Sequence, residues 1–278
     1  MSATDISVIV RSCGRPELLQ RALASIRAQT LPAAEIVVVA IGPAGKAAVD
    51  ALVEDRALRV LPVSAGRVRG AALNDGIGFA HGPWYAFLDD DDTWRPAFLE
   101  QVMTAIGDDA GDSHLGGAIC QTELVYERYR NGRLENCGGK PLNPRFTRVG
   151  VREMAKANQF TINAVLWHGR VFSAIGKYRE DLNLLEDWEF NLRAVRNFEF
   201  KVVPRPLARY HRRPPDDPLP NTQRRANDRA AQALQETWRR EGIDIGGGRG
   251  GFTFFASGGR WFKHAFIRVG SSLRWRLR

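Results

Sequence analysis

What most restricts the fold of this chain is an alternation that fills its first ninety residues. Residues 6–10, 36–40, 58–61 and 84–88 are short runs, apolar on both faces. Helical stripes separate them. After Pro16, which suits a first-turn position, Leu18, Leu19, Ala22, Leu23 and Ile26 recur at helical spacing. After the loop Gly42-Pro43-Ala44-Gly45 come Ala47, Ala48, Leu52 and Val53. A third helix, opened by residues 66–70 and closed by His81-Gly82-Pro83, carries Leu73, Asn74, Ile77 and Phe79. Strands buried on both faces and separated by helices predict an α/β fold, a parallel sheet with helices on both sides. In such sheets ligands bind at the carboxyl ends of the strands.

The fourth strand ends in an acidic run, Phe87-Leu88-Asp89-Asp90-Asp91-Asp92-Thr93-Trp94. Adjacent like charges repel and gain nothing as packing, but they make sense around a cation. In an extended segment alternate side chains share a face. Asp89 and Asp91 are then expected to point toward one ligand, and Asp90 and Asp92 elsewhere. The competing reading is a solvated turn in which Asp92 or Thr93 caps a helix starting near Pro96. Position at a strand's carboxyl end favours a site.

Further along, residues 96–106 predict a helix. Residues 118–129 and 133–136, joined by Asn131-Gly132, predict a hairpin. Residues 161–167 predict a strand. Glu186-Asp187-Trp188-Glu189 opens a helix with acids in its first turn. Residues 198–203 and 207–211 predict two more strands. The proline-rich stretch 213–220 cannot be regular structure, so it is either a boundary or a mobile segment over the site. The division expected is an α/β domain over 1–220 and a basic helical extension over 221–278. There is no internal repeat, and residues 246–251 form a glycine-rich link.

Net charge is +9, but from Asn221 onward twelve basic residues face four acidic ones, leaving +1 for the preceding 220 residues. Such a balance argues against nucleic acid as a partner of the main domain. Three cysteines, Cys13, Cys120 and Cys137, show no metal-ligand spacing and suit a reducing compartment. No apolar run reaches the length of a membrane-spanning helix, and the chain enters a strand at once. A cytoplasmic protein without a signal peptide is expected.

Taken in order, the motifs resemble those of the family-2 inverting glycosyltransferases with the GT-A fold, over about residues 6–211. Ser7-Val8-Ile9-Val10 followed by Gly14-Arg15-Pro16-Glu17-Leu18-Leu19 resembles the family's opening strand and "N-R-P-x-x-L" helix start. Ala71-Ala72-Leu73-Asn74-Asp75-Gly76-Ile77 resembles "A-R-N-x-G-I". The acidic run resembles "F-L-D-x-D-D-x-W", with its DxD element. Ile175-Gly176-Lys177-Tyr178 is similar to "I-G-G-F", and Glu186-Asp187-Trp188 matches "E-D-W".

That resemblance implies hexosyl transfer from a nucleotide-sugar donor to a glycan or lipid-linked acceptor, as in polysaccharide biosynthesis. It implies Mg²⁺ or Mn²⁺ on Asp91, with Asp89, bridging the donor's diphosphate. Asp89 and Asp90 would also meet the nucleoside. Asp187 would be the base that deprotonates the acceptor hydroxyl, with Glu186 as the alternative, and Trp188 would either floor the acceptor site or stand in the core. His211 would be a metal ligand, with an arginine of Arg209-Tyr210-His211-Arg212-Arg213 on a phosphate. Arg67 and Arg69, at a helix start, are placed to meet phosphates.

Two departures fall on nucleoside recognition. The family's "D-D-G-S" loop is replaced by Val39-Ala40-Ile41-Gly42-Pro43-Ala44-Gly45, without a carboxylate. The first loop has Arg11, Ser12 and Cys13, and Arg11 is counted among the donor contacts. A UDP-sugar is the default donor. The other readings are a sugar- or partner-binding subunit with a lapsed site, and a nucleotidyltransferase. In the tail Phe262, Phe266, Val269 and Leu273 share a helical face, with Lys263, His264, Arg268 and Arg274 mostly off it. This face would pack on the domain, pack on a second copy in a homo-oligomer, or lie through 252–278 on the inner face of the cell membrane.

Overall fold

The computed structural model describes residues 5–52, 58–221 and 224–243, with the backbone alone for 224–228. The glycine link, the apolar stripe of the tail and Val53 lie outside the described residues.

In chain order the elements are β1 (Ile6–Ser12), α1 (Pro16–Arg27), β2 (Glu35–Ile41), α2 (Gly42–Asp50), β3 (Leu58–Val63), α3 (Arg69–Phe79), β4 (Trp84–Asp89) and β5 (Thr93–Trp94). Then come α4 (Phe98–Ile106), β6 (Leu115–Arg130), β7 (Arg133–Pro141), α5 (Val151–Lys156), β8 (Val165–His168) and α6 (Gly169–Ile175). The last are α7 (Glu186–Asn197), β9 (Glu199–Arg212) and α8 (Arg224–Arg240). One sheet runs β3-β2-β1-β4-β8-β6-β9-β5, and β7 pairs with β6. The first four strands are parallel, β8 is antiparallel to β4 and β6, and β9 is parallel to β6. The architecture is thus a mixed α/β sheet flanked by helices.

Burial on both faces holds for β1 and the inner part of β2, whereas the edge strand β3, expected to be buried too, is half-exposed, with Val60 open to solvent. Val8 and Val10 of β1 pack into one apolar layer with α1 and α4. Ile9, between them, packs into a second layer with Val37, Val39, α3 and α7. Two glycines permit close approach. A Cβ at Gly76 would stand 2.6 Å from Ile9 Cγ2, so α3 can lie on the sheet only with glycine there. A Cβ at Gly45 would stand 2.7 Å from the Ser12 carbonyl oxygen.

Four expectations change. There is no loop after β2, because α2 begins at Gly42, directly on the strand end. Residues 162–164 form a 3₁₀ turn, not strand. The two late strands are one, β9, because β6 pairs along its whole length and absorbs Pro204 and Pro206 at register shifts. Finally, α4 starts at Phe98 behind Ala97, with no side-chain cap.

The first helix of the extension packs on the domain. Ala231, Leu234 and Trp238 are buried in the second layer. Trp238 meets Trp188 edge to face at 5.1 Å, and Gln235 Nε2 donates to the carbonyl of Lys156 at 2.9 Å. Among the described residues no helix is long and apolar enough to cross a membrane. Trp238→Ala empties a large buried site and is expected to cost about 3–5 kcal/mol. Thermal denaturation then shows a melting point lower by roughly 10 °C; an unchanged melting point would refute this docking.

Candidate active site

The strand ends define a cleft. From the early elements it is lined by Arg11, Cys13, Arg15, Ile41, Arg67 and Arg69, and from the later ones by Thr161, Ile162, Leu185, Glu186, Asp187, Tyr210 and Arg212, with the acidic run also in its wall.

The run is not extended. Strand β4 stops at Asp89, and the Asp92 N–H closes a tight turn onto the Asp89 carbonyl at 3.0 Å. The alternation expected of the four aspartates is therefore broken, and each meets its own partners. Asp89 Oδ1 accepts from Arg11 at 2.6 Å, and Oδ2 lies 3.5 Å from Arg69. Asp90 accepts from Ser12 Oγ at 3.2 Å, from the Cys13 N–H at 3.1 Å and from Arg15. Burial raises the Asp90 pKa, against the pull of Arg15.

On Asp91, Oδ2 accepts from Arg15 at 3.0 Å, Arg213 at 2.6 Å and Asn221 at 3.0 Å. Burial works against ionisation there, but Arg15 and Arg213 outweigh it and hold the pKa below the ordinary carboxylate value. Asp92 is no helix cap. It is 1% exposed and accepts from Asn163 Nδ2 at 2.9 Å and the His211 N–H at 3.0 Å, tying the turn to β9. Burial, then Asp91 and Asp89, push its pKa well up.

Behind Asp91 sits a carboxylate that sequence reasoning passed over. Glu127, on β6, accepts from Arg21 at 2.7 Å and from Arg213. Burial opposes its charge, but hydrogen bonds from His211 and Arg21 bring its pKa down to about 2. Both ring nitrogens of His211 are engaged, Nδ1 with Glu127 at 2.9 Å and Nε2 with Thr93 at 2.8 Å. This corrects the expectation of His211 as a metal ligand, since no ring nitrogen is left to face Asp91. Nothing in the pattern around Glu127 marked it, since a glutamate on a half-exposed hairpin is ordinary.

At the opposite end of the chain's motif series, α7 begins behind Leu185. Leu185 holds a left-handed backbone, φ 64°, rare for a branched side chain and a local cost that sets the direction of the first turn of α7. Glu186 is buried and bound to Arg69 Nε at 2.8 Å. Asp187 lines the cleft and accepts from Asn158 Nδ2 at 3.1 Å. Burial first, then the neighbouring Glu186 carboxylate, push its pKa up to about 6, against Arg69. Trp188 does not floor an acceptor site. It is wholly buried, with Nε1 donating to the Met154 carbonyl at 2.6 Å.

Arg67 lines the cleft but is held by Asp75 through two bonds of 2.8 Å. Arg11 is buried between Asp89 and Glu186. The asparagine of the third helix has a structural use. Asn74 Oδ1 accepts from the Tyr178 N–H at 3.0 Å while Nδ2 donates to the Tyr178 carbonyl at 2.9 Å, so it pairs like a strand with the segment leading to Asp187.

Among the described residues no three His, Cys, Asp or Glu side chains gather as metal ligands. Asp89 to Asp92 all line one cleft. Small hard cations commonly bind through one or two carboxylates plus substrate phosphates. These residues fit a divalent ion that arrives with a diphosphate, and do not fit a cage built from protein alone.

Comparison with known proteins agrees with this geometry. The profile of glycosyl transferase family 2 matches residues 7–168. The uncharacterized glycosyltransferase YwdF of Bacillus subtilis is 26% identical over 199 residues, 72% of this chain and 71% of YwdF. The succinoglycan biosynthesis protein ExoO of Rhizobium meliloti is 35% identical over 100 residues, 36% of this chain, which spans only 29% of ExoO. Among solved structures, S. aureus TarS 1–349 with UDP-GlcNAc superposes with a TM-score of 0.56 at 18% identity, over 84% of this chain and 66% of TarS 1–349. The mannosyltransferase PcManGT of Pyrobaculum calidifontis, with GDP-Man and Mn²⁺, gives 0.55 at 18% identity, over 94% of this chain and 68% of its own. Both carry the GT-A type of fold, and with its profile matched over more than half the sequence this chain belongs to glycosyl transferase family 2.

Proposed function

We propose that this protein is a metal-dependent inverting glycosyltransferase, moving a sugar from a nucleoside-diphosphate sugar, a UDP-sugar by default, to a hydroxyl of a glycan or lipid-linked acceptor. The observation that carries the reading is Asp187. It is a carboxylate on the cleft wall, raised to about 6, in the same cleft as the acidic turn of β4. A base poised near neutral pH suits removal of a hydroxyl proton. The relatives support the donor and the setting. TarS 1–349 binds UDP-GlcNAc, PcManGT binds GDP-Man with Mn²⁺, and ExoO acts in succinoglycan biosynthesis.

In this mechanism Asp187 accepts the acceptor's hydroxyl proton as that oxygen forms a bond to the anomeric carbon from the face opposite the leaving group. The bond from the anomeric carbon to the phosphate oxygen breaks, and its electron pair leaves with the nucleoside diphosphate. Asp187 ends protonated and the anomeric centre is inverted. Mg²⁺ or Mn²⁺, held by Asp91 with Asp89, would supply Lewis-acid stabilisation of the leaving diphosphate. Asp90 and Arg11 set the nucleoside end, and Arg67 and Arg69 neutralise phosphate charge. Glu186, fixed to Arg69, orients that arginine and raises Asp187. The stretch 39–45, of which Ile41 lines the cleft, has no carboxylate, which leaves the base to be read by other groups.

Asp187→Asn is expected to lower transfer about 10²–10⁴-fold while nucleotide binding persists. Wild-type kcat should rise with pH through about 6. The stability effect has the opposite sense. A carboxyl whose folded pKa lies above its unfolded value stabilises at low pH, and that stability is lost as pH rises through the folded pKa. Asp187→Asn should therefore melt higher than wild type above pH 7, by on the order of 1–2 kcal/mol, with the gain vanishing below about pH 4. Full activity in Asp187→Asn would remove it as the base.

Melting curves with UDP, GDP and dTDP test the donor and the ion together. A diphosphate with Mn²⁺ should raise the melting point by several degrees, and a chelator should abolish most of the shift. A shift indifferent to the chelator would dismiss the metal role.

A further inference from the structure

A charge averaged over 220 residues hides a strong local excess. Residues 128–156 hold eight basic side chains, Arg128, Arg130, Arg133, Lys140, Arg145, Arg148, Arg152 and Lys156, against Glu135 and Glu153. Strand register places several of them on one face. Arg130 pairs with Arg133, Arg128 with Glu135, and Leu124 with Lys140 across the β6–β7 hairpin. On the other flank of β6, Leu124 is in register with Tyr210 and Tyr126 with Arg212. Cross-strand partners point to the same side of a sheet, and alternate residues share a face. Arg128, Arg130, Arg133 and Lys140 therefore share the face of Tyr210 and Arg212, and those two line the cleft.

The intervening residues confirm the assignment of faces. Glu127 meets Arg21 and the Tyr129 hydroxyl meets Glu17, both on α1. The arginine face thus points away from α1. It runs from Arg212 to the hairpin tip, about 13 Å at 3.3 Å per residue over the four residues from Tyr126 to Arg130. Among the described residues, the acids that register and contact place on it are Glu135 and the exposed Asp216, which lies 3.5 Å from Arg128. Arg212 has no acidic partner among the described residues. Its guanidinium lies over Tyr210, one nitrogen bonds the Tyr210 hydroxyl at 3.3 Å, and its buried Nε bonds nothing.

We propose that this face is the track of an anionic acceptor, a glycan chain bearing carboxylate or phosphate groups, whose reactive end enters the cleft past Arg212. The inference rests on the glycosyltransferase reading and adds the charge of its acceptor. A flat anionic surface is a poorer match than a chain. The strip leads into the concave site where transfer occurs, and only a ligand that continues into that site uses both ends of it.

The test uses the full chain with labelled polygalacturonate and neutral dextran as probes, read by fluorescence anisotropy at low and high salt. Polygalacturonate should bind with an affinity that salt weakens, and dextran should not. The double variant Arg130→Glu, Arg133→Glu should lose about tenfold or more in that affinity. A control pair on a different exposed surface, Lys177→Glu with Arg196→Glu, should change it less than about threefold. The melting shift with UDP and Mn²⁺ should be the same in all three proteins. Equal affinity of the hairpin variant and wild type overturns the inference, as does an equal loss in the control. Binding to phosphatidylglycerol vesicles without binding to polygalacturonate also overturns it, and makes the face a membrane contact. The two readings fail separately. Absence of any nucleotide shift defeats the donor reading whatever the glycan does, and absence of anion selectivity defeats this one whatever the nucleotide does.

Discussion

Four consecutive carboxylates at the end of a buried strand are the constraint to which the rest of the structure answers. Three of them, Asp90, Asp91 and Asp92, are less than a tenth exposed. Removing a charge from water costs several kcal/mol, and leaving one without a partner is strongly destabilising. The chain meets that demand by drawing donors from distant segments. Arg11 and Arg15 come from the first strand and its loop, Arg69 from α3, Asn163 from the turn before β8, and Arg213 and Asn221 from beyond β9. The mixed sheet brings these segments to one place, and the acidic turn holds them there.

The same network explains which parts of the site were legible in the sequence. Asp89 to Asp91 and Asp187 stand in patterns of fixed spacing, on elements whose apolar periodicity is strong, so the fold delivers them to one cleft. Glu127, Arg213 and Asn221 carry no such pattern. Arg213 and Asn221 reach Asp91, and Glu127 reaches it through Arg213, by a long-range pairing of β6 with β9 and by a proline-rich loop, and a one-dimensional reading has no access to either. His211 illustrates the converse. Its position late in the chain was anticipated, but its role depends on what flanks both ring nitrogens. Thr93 and Glu127 make it a link between β5 and β6, with burial lowering its pKa despite Glu127.

Fold expectations failed where local rules met a stronger tertiary one. Pro204 and Pro206 argue for a break between two late strands, yet β9 continues because β6 supplies partners on both sides of the shift. The loop expected after β2 is absent because Gly45 lets α2 sit on the carbonyl of Ser12. Trp188 takes the core place, one of the two open to it. Its neighbours Glu186 and Asp187 face the cleft, but in a helix the next residue turns about 100° away, and here that direction is the core shared with Trp238.

Asp187 is where opposing electrostatic effects have to be weighed. It is the second residue of α7, close to the unpaired N–H groups of the first turn. That position favours a carboxylate by about 0.3–1 kcal/mol, less than one pKa unit downward. Arg69 pulls in the same direction. Yet the pKa lies near 6, about two units above the ordinary aspartate value. Burial and the adjacent Glu186 must together exceed the helix terminus and Arg69 by roughly 3 kcal/mol. Glu186 achieves its share because Arg69 neutralises it only in part, being divided between Glu186 and Asp89. The two ends of the cleft are therefore coupled through two guanidinium groups, Arg69 and Arg11, each set between Asp89 and Glu186. Whatever draws Arg69 toward the Asp89 end leaves Glu186 less compensated and Asp187 more basic, and a phosphate entering that cleft would be such a group.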